Sequence, residues 1–145
     1  MTIEIRDLSD SIIKNSESFA EVMSVCSTML RYDNDAKKYK QYLQSERGIY
    51  SLSESGFSFG YFPNNSEIHK LLKIIPYDKL EKLGLVYSKY IYHSGQPEKI
   101  ICSKLNNHNL VMPYKNCNGD IIGLVGRTLL SSEEQKINKI SKYKN

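Results

Sequence analysis

Arg127 closes a glycine-spaced, strand-like run, Ile121-Ile-Gly-Leu-Val-Gly-Arg127, and Lys136, Lys139, Lys142 and Lys144 crowd the last ten residues. A guanidinium fixed at a strand end holds a phosphate with two parallel hydrogen bonds, and nearby ammonium groups add point charges. The chemistry these residues suit is recognition of a polyanion. Metal-assisted phosphoryl transfer needs clustered carboxylates, and here Asp and Glu are scattered singly over candidate helices and turns. Arg47 falls at the end of a candidate helix, where it either meets a phosphate or complements the helix dipole and the last carbonyls. Tyr61, Phe62, Tyr87, Tyr90 and Tyr92 fit two roles, stacking on unpaired bases or packing a sheet against helices.

Cys26, Cys102 and Cys117 make an odd set without a CxxC pair, so reduced thiols are expected rather than a disulfide framework. Cys102, His108 and Cys117 lack the close pair that structural zinc sites use, and small packed side chains are the better reading. With 145 residues, 40% hydrophobic and 25% charged, the chain suits one domain with a modest core, and its formal charge of +4 leans toward a polyanionic partner. No apolar run reaches bilayer length, and MTIEIRDLSD has neither a basic start nor an apolar segment. The expectation is a cytoplasmic protein without a membrane partner.

Positioning such residues requires a scaffold, and the hydrophobic pattern supplies one. Residues 1–15 show little periodicity and suggest a short strand or mobile arm, leaving 16–145 as the domain. From Ser16 or Ser18 as cap, Phe19, Val22, Met23, Cys26, Met29 and Leu30 mark a helix; Ala36, Tyr39 and Leu43 mark a second, ended by Gly48. The two predict an antiparallel αα-hairpin through the RYDND connection. Alternation over Phe57–Phe62 gives a strand, NNS caps a helix with Ile68, Leu71, Leu72 and Ile75 inside, and Tyr77–Leu83 gives a further short helix. LVYSKYIYH and KIIC read as strands about an HSGQPE turn, and 109–127 as a hairpin around Lys115–Gly119. The fold class is α+β, an N-terminal αα-hairpin and short helices packed on a small, mainly antiparallel β-sheet.

Several motifs stand in register with one family. Tyr42, Leu43, Arg47, Gly48 and Ile49, then Phe57, Phe59, Gly60, Tyr61 and Pro63, then Gly84 and Leu85, then Pro113, Asn116, Gly119, Ile121, Ile122, Gly123, Gly126 and Arg127 follow the order and spacing of DnaG-type DNA primases. Ser141–Asn145 is similar to that family's P-K-Y-x-N segment with serine for proline. Over residues 17–145 the chain thus resembles the N-terminal part of a primase catalytic core. The resemblance implies Arg127 and Lys142 as contacts to template or nascent strand in RNA primer synthesis during DNA replication; Lys144, Lys104 and Arg47 join the expected nucleic-acid contacts by their charge, Arg47 with its helix-end alternative. It also implies single-stranded DNA and the RNA–DNA hybrid as partners and magnesium on a Toprim domain rather than on this chain; a replicative helicase is the partner of the non-enzymatic alternative.

Two departures qualify that expectation. The family carries two or three arginines before its P-x-x-N-x-x-G turn, whereas Cys102–Leu110 keeps only Lys104, with asparagines at 106, 107 and 109. The family's zinc ribbon and Toprim carboxylates also find no match here. The expected reading is therefore a split or truncated primase piece, inactive alone and served by a Toprim-containing chain; the alternative is a non-enzymatic nucleic-acid-binding or helicase-interacting module.

Overall fold

Side chains repeating at three- and four-residue steps share one face of a helix. In the computed structural model, which describes residues 5–49 and 59–145, the apolar stripe from Phe19 to Leu30 is buried along α1, Ile5–Tyr32. This helix starts earlier than its stripe. Residues 5–15, expected as a strand or arm, form its first turns, so Ser16 and Ser18 lie inside it rather than capping it. Ile12 and Ile13 are 42% and 50% exposed, which is why no burial pattern announces that segment. The Ser16 hydroxyl instead accepts the Ile121 N–H at 2.9 Å.

A 3-10 turn, Asn34–Ala36, carries the chain into α2, Lys37–Arg47, and Ala36, Tyr39 and Leu43 pack inward as the spacing predicts. Gly48 ends α2 at φ 65°, a left-handed conformation that glycine adopts without Cβ strain, and its N–H reaches the Leu43 carbonyl. Two short helices follow, α3, Ile68–Leu72, and α4, Tyr77–Lys82. The Lys70 ammonium fastens α3 to the hairpin connection, lying 3.3 Å, 2.6 Å and 3.2 Å from carboxylates of Asp33, Asp35 and Glu67. NNS does not cap α3. The N-cap is Glu67, without a side-chain bond, because the Asn64 and Asn65 amide oxygens are taken by the 103–109 loop, accepting the N–H of Asn107 and of Ser103, each at 2.7 Å.

The strands divide between two sheets. β1, Gly60–Tyr61, β4, Leu110–Lys115, β5, Ile121–Arg127, and β6, Tyr143–Lys144, form an antiparallel sheet in the order β1-β4-β5-β6. β2, Val86–His93, and β3, Gln96–Ser103, form a separate ribbon. Its turn is only Ser94 and Gly95, at φ 50° and 80°, shorter than the HSGQPE segment and of the kind that matches strand twist. Of the Phe57–Phe62 alternation, residues 57 and 58 lie outside the described residues.

Antiparallel partners share a face, so the register sorts the side chains. Gly60, Val111, Gly126 and Lys144 align on one face, and Tyr61, Leu110, Arg127 and Tyr143 on the other. α1 crosses the first face closely enough that a Cβ on Gly60 would lie 2.7 Å from Cys26 Cβ. There burial pushes the Cys26 thiol up to about 12, as expected of an inert packed cysteine. Leu43 and Arg47 of α2 border the second face, where Tyr39 and Tyr61 pack with ring centroids 5.4 Å apart.

The glycines of β5 differ in what they permit. At Gly126 a Cβ would come 2.4 Å from the His108 carbonyl oxygen, so the 105–108 loop needs that bare backbone; at Gly123 nothing stands within 4 Å. Gly126→Ala is accordingly expected to destabilise the fold by about 1–3 kcal/mol, with Gly123→Ala within about 0.5 kcal/mol of the parent. Urea-unfolding midpoints of the two variants measure the contrast, and equal midpoints would show that the loop does not depend on the close approach.

Candidate functional site

The C-terminal end of α2 and the ends of β5 and β6 enclose a cleft of about 280 Å³, bordered by Leu43, Arg47, Ile49, Leu110, Arg127 and Tyr143. Its floor is apolar and its charge comes from two guanidinium groups. Tyr42 stands between them. Its ring centroid lies 4.8 Å from Arg127 Cζ and 5.8 Å from Arg47 Cζ, and its hydroxyl accepts the Arg47 Nε–H at 3.0 Å. That bond, first among its causes, raises the Arg47 guanidinium further above its ordinary value.

Arg127 is half-buried and held on several sides. Nη1 donates to the Thr128 carbonyl at 2.7 Å, and the Tyr143 ring adds a second aromatic face 5.9 Å from Cζ. Among the described residues its Nε is buried without a hydrogen-bond partner. A buried donor left unpaired costs about 1–3 kcal/mol. The guanidinium is therefore held by packing between two aromatic rings and a backbone carbonyl, which fixes its place at the cleft.

Tyr143 reaches this position because the chain returns. After β5 it forms α5, Ser132–Asn138, opened by a capping box in which Ser131 and Glu134 exchange side-chain-to-backbone bonds. It then comes back antiparallel as β6, pairing Tyr143 with Arg127 and Lys144 with Gly126. The Thr128 N–H meets the Lys142 carbonyl at 3.0 Å, and His108 Nε2 meets the Ser141 carbonyl at 2.6 Å. His108 Nδ1 faces the Asn106 carbonyl at 3.2 Å, so both ring nitrogens lie against backbone carbonyls, of which a neutral imidazole donates to one.

The five candidate residues are thus only partly assembled. Arg127 and Arg47 share the cleft, and the Lys142 ammonium lies 5.9 Å from the Tyr143 ring at its margin. Lys144 follows Tyr143 and faces the other side of the sheet. Lys104 leaves the end of β3 and rests 5.0 Å from the Tyr87 ring, on the ribbon rather than in the cleft. Lys136 and Lys139 sit on and just after α5, both exposed. Tyr42 and Tyr143 were not among the candidates, although Tyr143 stands between two of them in sequence and Tyr42 just over one helical turn before a third; an aromatic placed to support an arginine has no spacing rule of its own.

Among the described residues, no three His, Cys, Asp or Glu side chains gather to hold a metal ion. Asp33, Asp35 and Glu67 do converge, but on the Lys70 ammonium. The described residues thus leave no carboxylate cluster for a magnesium ion.

Residues 27–145 match the family described as DNA primase catalytic core, N-terminal domain. Among solved structures, the RNA polymerase domain of Mycobacterium tuberculosis primase DnaG is similar at 22% identity over 91% of this chain and 39% of that one, with a TM-score of 0.59. A DnaG primase catalytic domain bound to single-stranded DNA is similar at 18% identity over 90% of this chain and 36% of that one, with a TM-score of 0.59. The zinc-binding and RNA polymerase domains of Aquifex aeolicus primase give 22% identity, 99% and 30% coverage, and a TM-score of 0.56. The chain spans 30–39% of the length of these solved chains. No curated protein matches it.

If Arg127 grips phosphate as a fork, Arg127→Lys keeps the charge and loses the second hydrogen bond, so affinity for a single-stranded oligonucleotide falls by about 1 kcal/mol or more. Lys38→Ala, on the outer side of α2, changes affinity little. Fluorescence anisotropy on a labelled oligonucleotide reads both, and equal losses would reduce the cleft to generic charge.

Proposed function

The chain belongs to the family of the N-terminal domain of the DNA primase catalytic core, and from that premise we propose that it holds nucleic acid for primer synthesis. Single-stranded template and the RNA–DNA hybrid run past the cleft, with Arg127, Arg47 and Lys142 on phosphates and with Lys144 and Lys104 as outlying contacts. The observation that carries this reading is Arg127, whose guanidinium packs between Tyr42 and Tyr143 at the border of the cleft that Arg47 shares. Support comes from relatives of the same fold solved with single-stranded DNA and with duplex DNA carrying an overhang.

Polymerisation of ribonucleotides on DNA is the activity we assign to the assembled enzyme. Its magnesium belongs on a Toprim-type chain or domain, since the described residues offer no carboxylate cluster for it. We place the protein in the cytoplasm; among the described residues no helix is long and apolar enough to cross a membrane. A second reading, a non-enzymatic nucleic-acid-binding or helicase-interacting module, is favoured by one observation. Asn106 and Asn109, where the family's arginine run is expected, spend their amides internally, Asn106 Oδ1 on the Asn65 N–H at 2.9 Å and Asn109 Nδ2 on the Phe62 carbonyl at 2.7 Å.

Binding led by phosphate contacts weakens steeply with salt, because each neutralised phosphate releases counterions. Affinity for single-stranded DNA or RNA is expected to be measurable at low salt and to fall on a log–log plot with a slope of about −0.7 per phosphate contact. No binding at low salt would remove the basis of the proposal.

Activity separates the two readings. This chain by itself is expected to make no primer, whereas a mixture with a Toprim-containing chain from the same source makes oligoribonucleotides on a single-stranded template in magnesium. Arg127→Ala then suppresses synthesis without preventing association. Synthesis by this chain alone contradicts the division of the site, and a mixture no better than the partner assigns the chain to the non-enzymatic module.

A further inference from the structure

The tyrosines of the sequence meet opposite fates. Tyr61 and Phe62 are 4% and 0% exposed and belong to the core, whereas Tyr90 and Tyr92 on β2 are 63% and 71% exposed. The pairing Tyr90↔Lys99 and Tyr92↔Pro97 puts the two tyrosines, a lysine and a proline on one face of the ribbon, in line with Ser88 and Ile101. Lys99 leans back toward the domain, its ammonium 5.9 Å from the ring of Tyr77, whose hydroxyl is bonded to Glu81. The ribbon's own carboxylate, Glu98, lies on the other face and pairs with His93 at 3.0 Å.

Nothing among the described residues covers the two tyrosine rings. Among the described residues the one close ring pair is Tyr39 with Tyr61, and no lysine or arginine sits over Tyr90 or Tyr92. Side chains two apart on a strand emerge about 7 Å from one another, which is roughly twice the contact distance between stacked carbon faces. A base fits between or upon such rings. The charged side chain that the ribbon contributes to this face is a lysine, which complements a phosphodiester chain, whereas lysine is depleted from the cores of protein interfaces.

We propose that this face of the β2–β3 ribbon is a second nucleic-acid contact, a stacking platform on which Tyr90 and Tyr92 take unpaired bases of a single strand while Lys99 meets its backbone. The assignment rests on the nucleic-acid reading above and extends it to a surface on a separate sheet, one that reads bases by their faces. Aromatic stacking tolerates any sequence, so the platform retains single strands rather than selecting a start site.

Anisotropy with oligodeoxythymidine and with an abasic phosphodiester chain of equal length tests it, on the full chain as wild type, Tyr90→Ser/Tyr92→Ser, Tyr90→Phe/Tyr92→Phe and Arg127→Ala. The wild type should prefer the oligonucleotide with bases. The serine pair should lose on the order of tenfold or more on it and little on the abasic chain, and the phenylalanine pair should keep the wild-type affinity. A serine pair that binds like wild type, or that loses equally on both ligands, overturns the platform. If the wild type binds neither ligand, the nucleic-acid reading falls with it. Binding lost in Arg127→Ala but untouched in the serine pair removes the platform alone. Sedimentation of the same proteins covers the competing occupant: a concentration-dependent dimer abolished by the serine pair, with oligonucleotide affinity unchanged, gives this face to a second copy of the chain.

Discussion

Asn109 is 1% exposed, and its side-chain amide is bonded on both sides within the protein. Its Oδ1 accepts the Tyr39 hydroxyl at 2.6 Å, its Nδ2 donates to Asn64 Oδ1 at 2.8 Å as well as to the Phe62 carbonyl, and its own carbonyl accepts the Phe62 N–H at 2.8 Å. One side chain thereby ties α2, the end of β1 and the loop entering β4. A buried amide must be paired to be tolerated, so these elements come together in one relative position or pay for several unmade bonds. The cleft inherits that requirement, since α2 forms one of its walls and the sheet forms its floor.

What the sequence disclosed followed from periodicity and backbone chemistry. The α1 stripe, the inward positions of α2, the left-handed Gly48 and the 109–127 hairpin are all marked by spacing or by a residue that one conformation favours. What it concealed was fixed by contacts between distant segments. α5 has no buried residue, so no apolar stripe identifies it, and β6 is two residues long, too short for alternation to register. The division of the strands into two sheets depends on which edges meet. The NNS amides look like a helix cap by type, and only the neighbouring loop decides that they serve as its acceptors. At the candidate site, Arg127 and Arg47 were legible as charges, but the tyrosine that spaces them was not.

Charge is distributed unevenly relative to structure. The cleft brings together residues that are eighty apart in sequence, Arg47 and Arg127, by folding, whereas the lysines crowded at the C-terminal end are separated by it. Tyr143 and Lys144 are adjacent yet face opposite sides of the sheet, and Lys136 stands out on α5. Four lysines close in sequence therefore do not make one positive patch when a helix, its cap, a bend and a short strand share them out. Lys70 gives the converse case, a cation whose surroundings hold three carboxylates and leave it no role toward an outside anion.

The two-residue pairing of β6 has a dynamic meaning. It is held to the sheet through Gly126, Arg127 and Thr128 and to the loop through His108, with both of its own side chains exposed. Segments with few buried contacts open at free energies well below that of global unfolding. Each such opening withdraws Tyr143 from the guanidinium while Tyr42, fixed in α2, stays. The arginine is in this sense mounted on one rigid bearing and one hinged one, and amide exchange at Tyr143 and Lys144 counts how often the hinged side swings free.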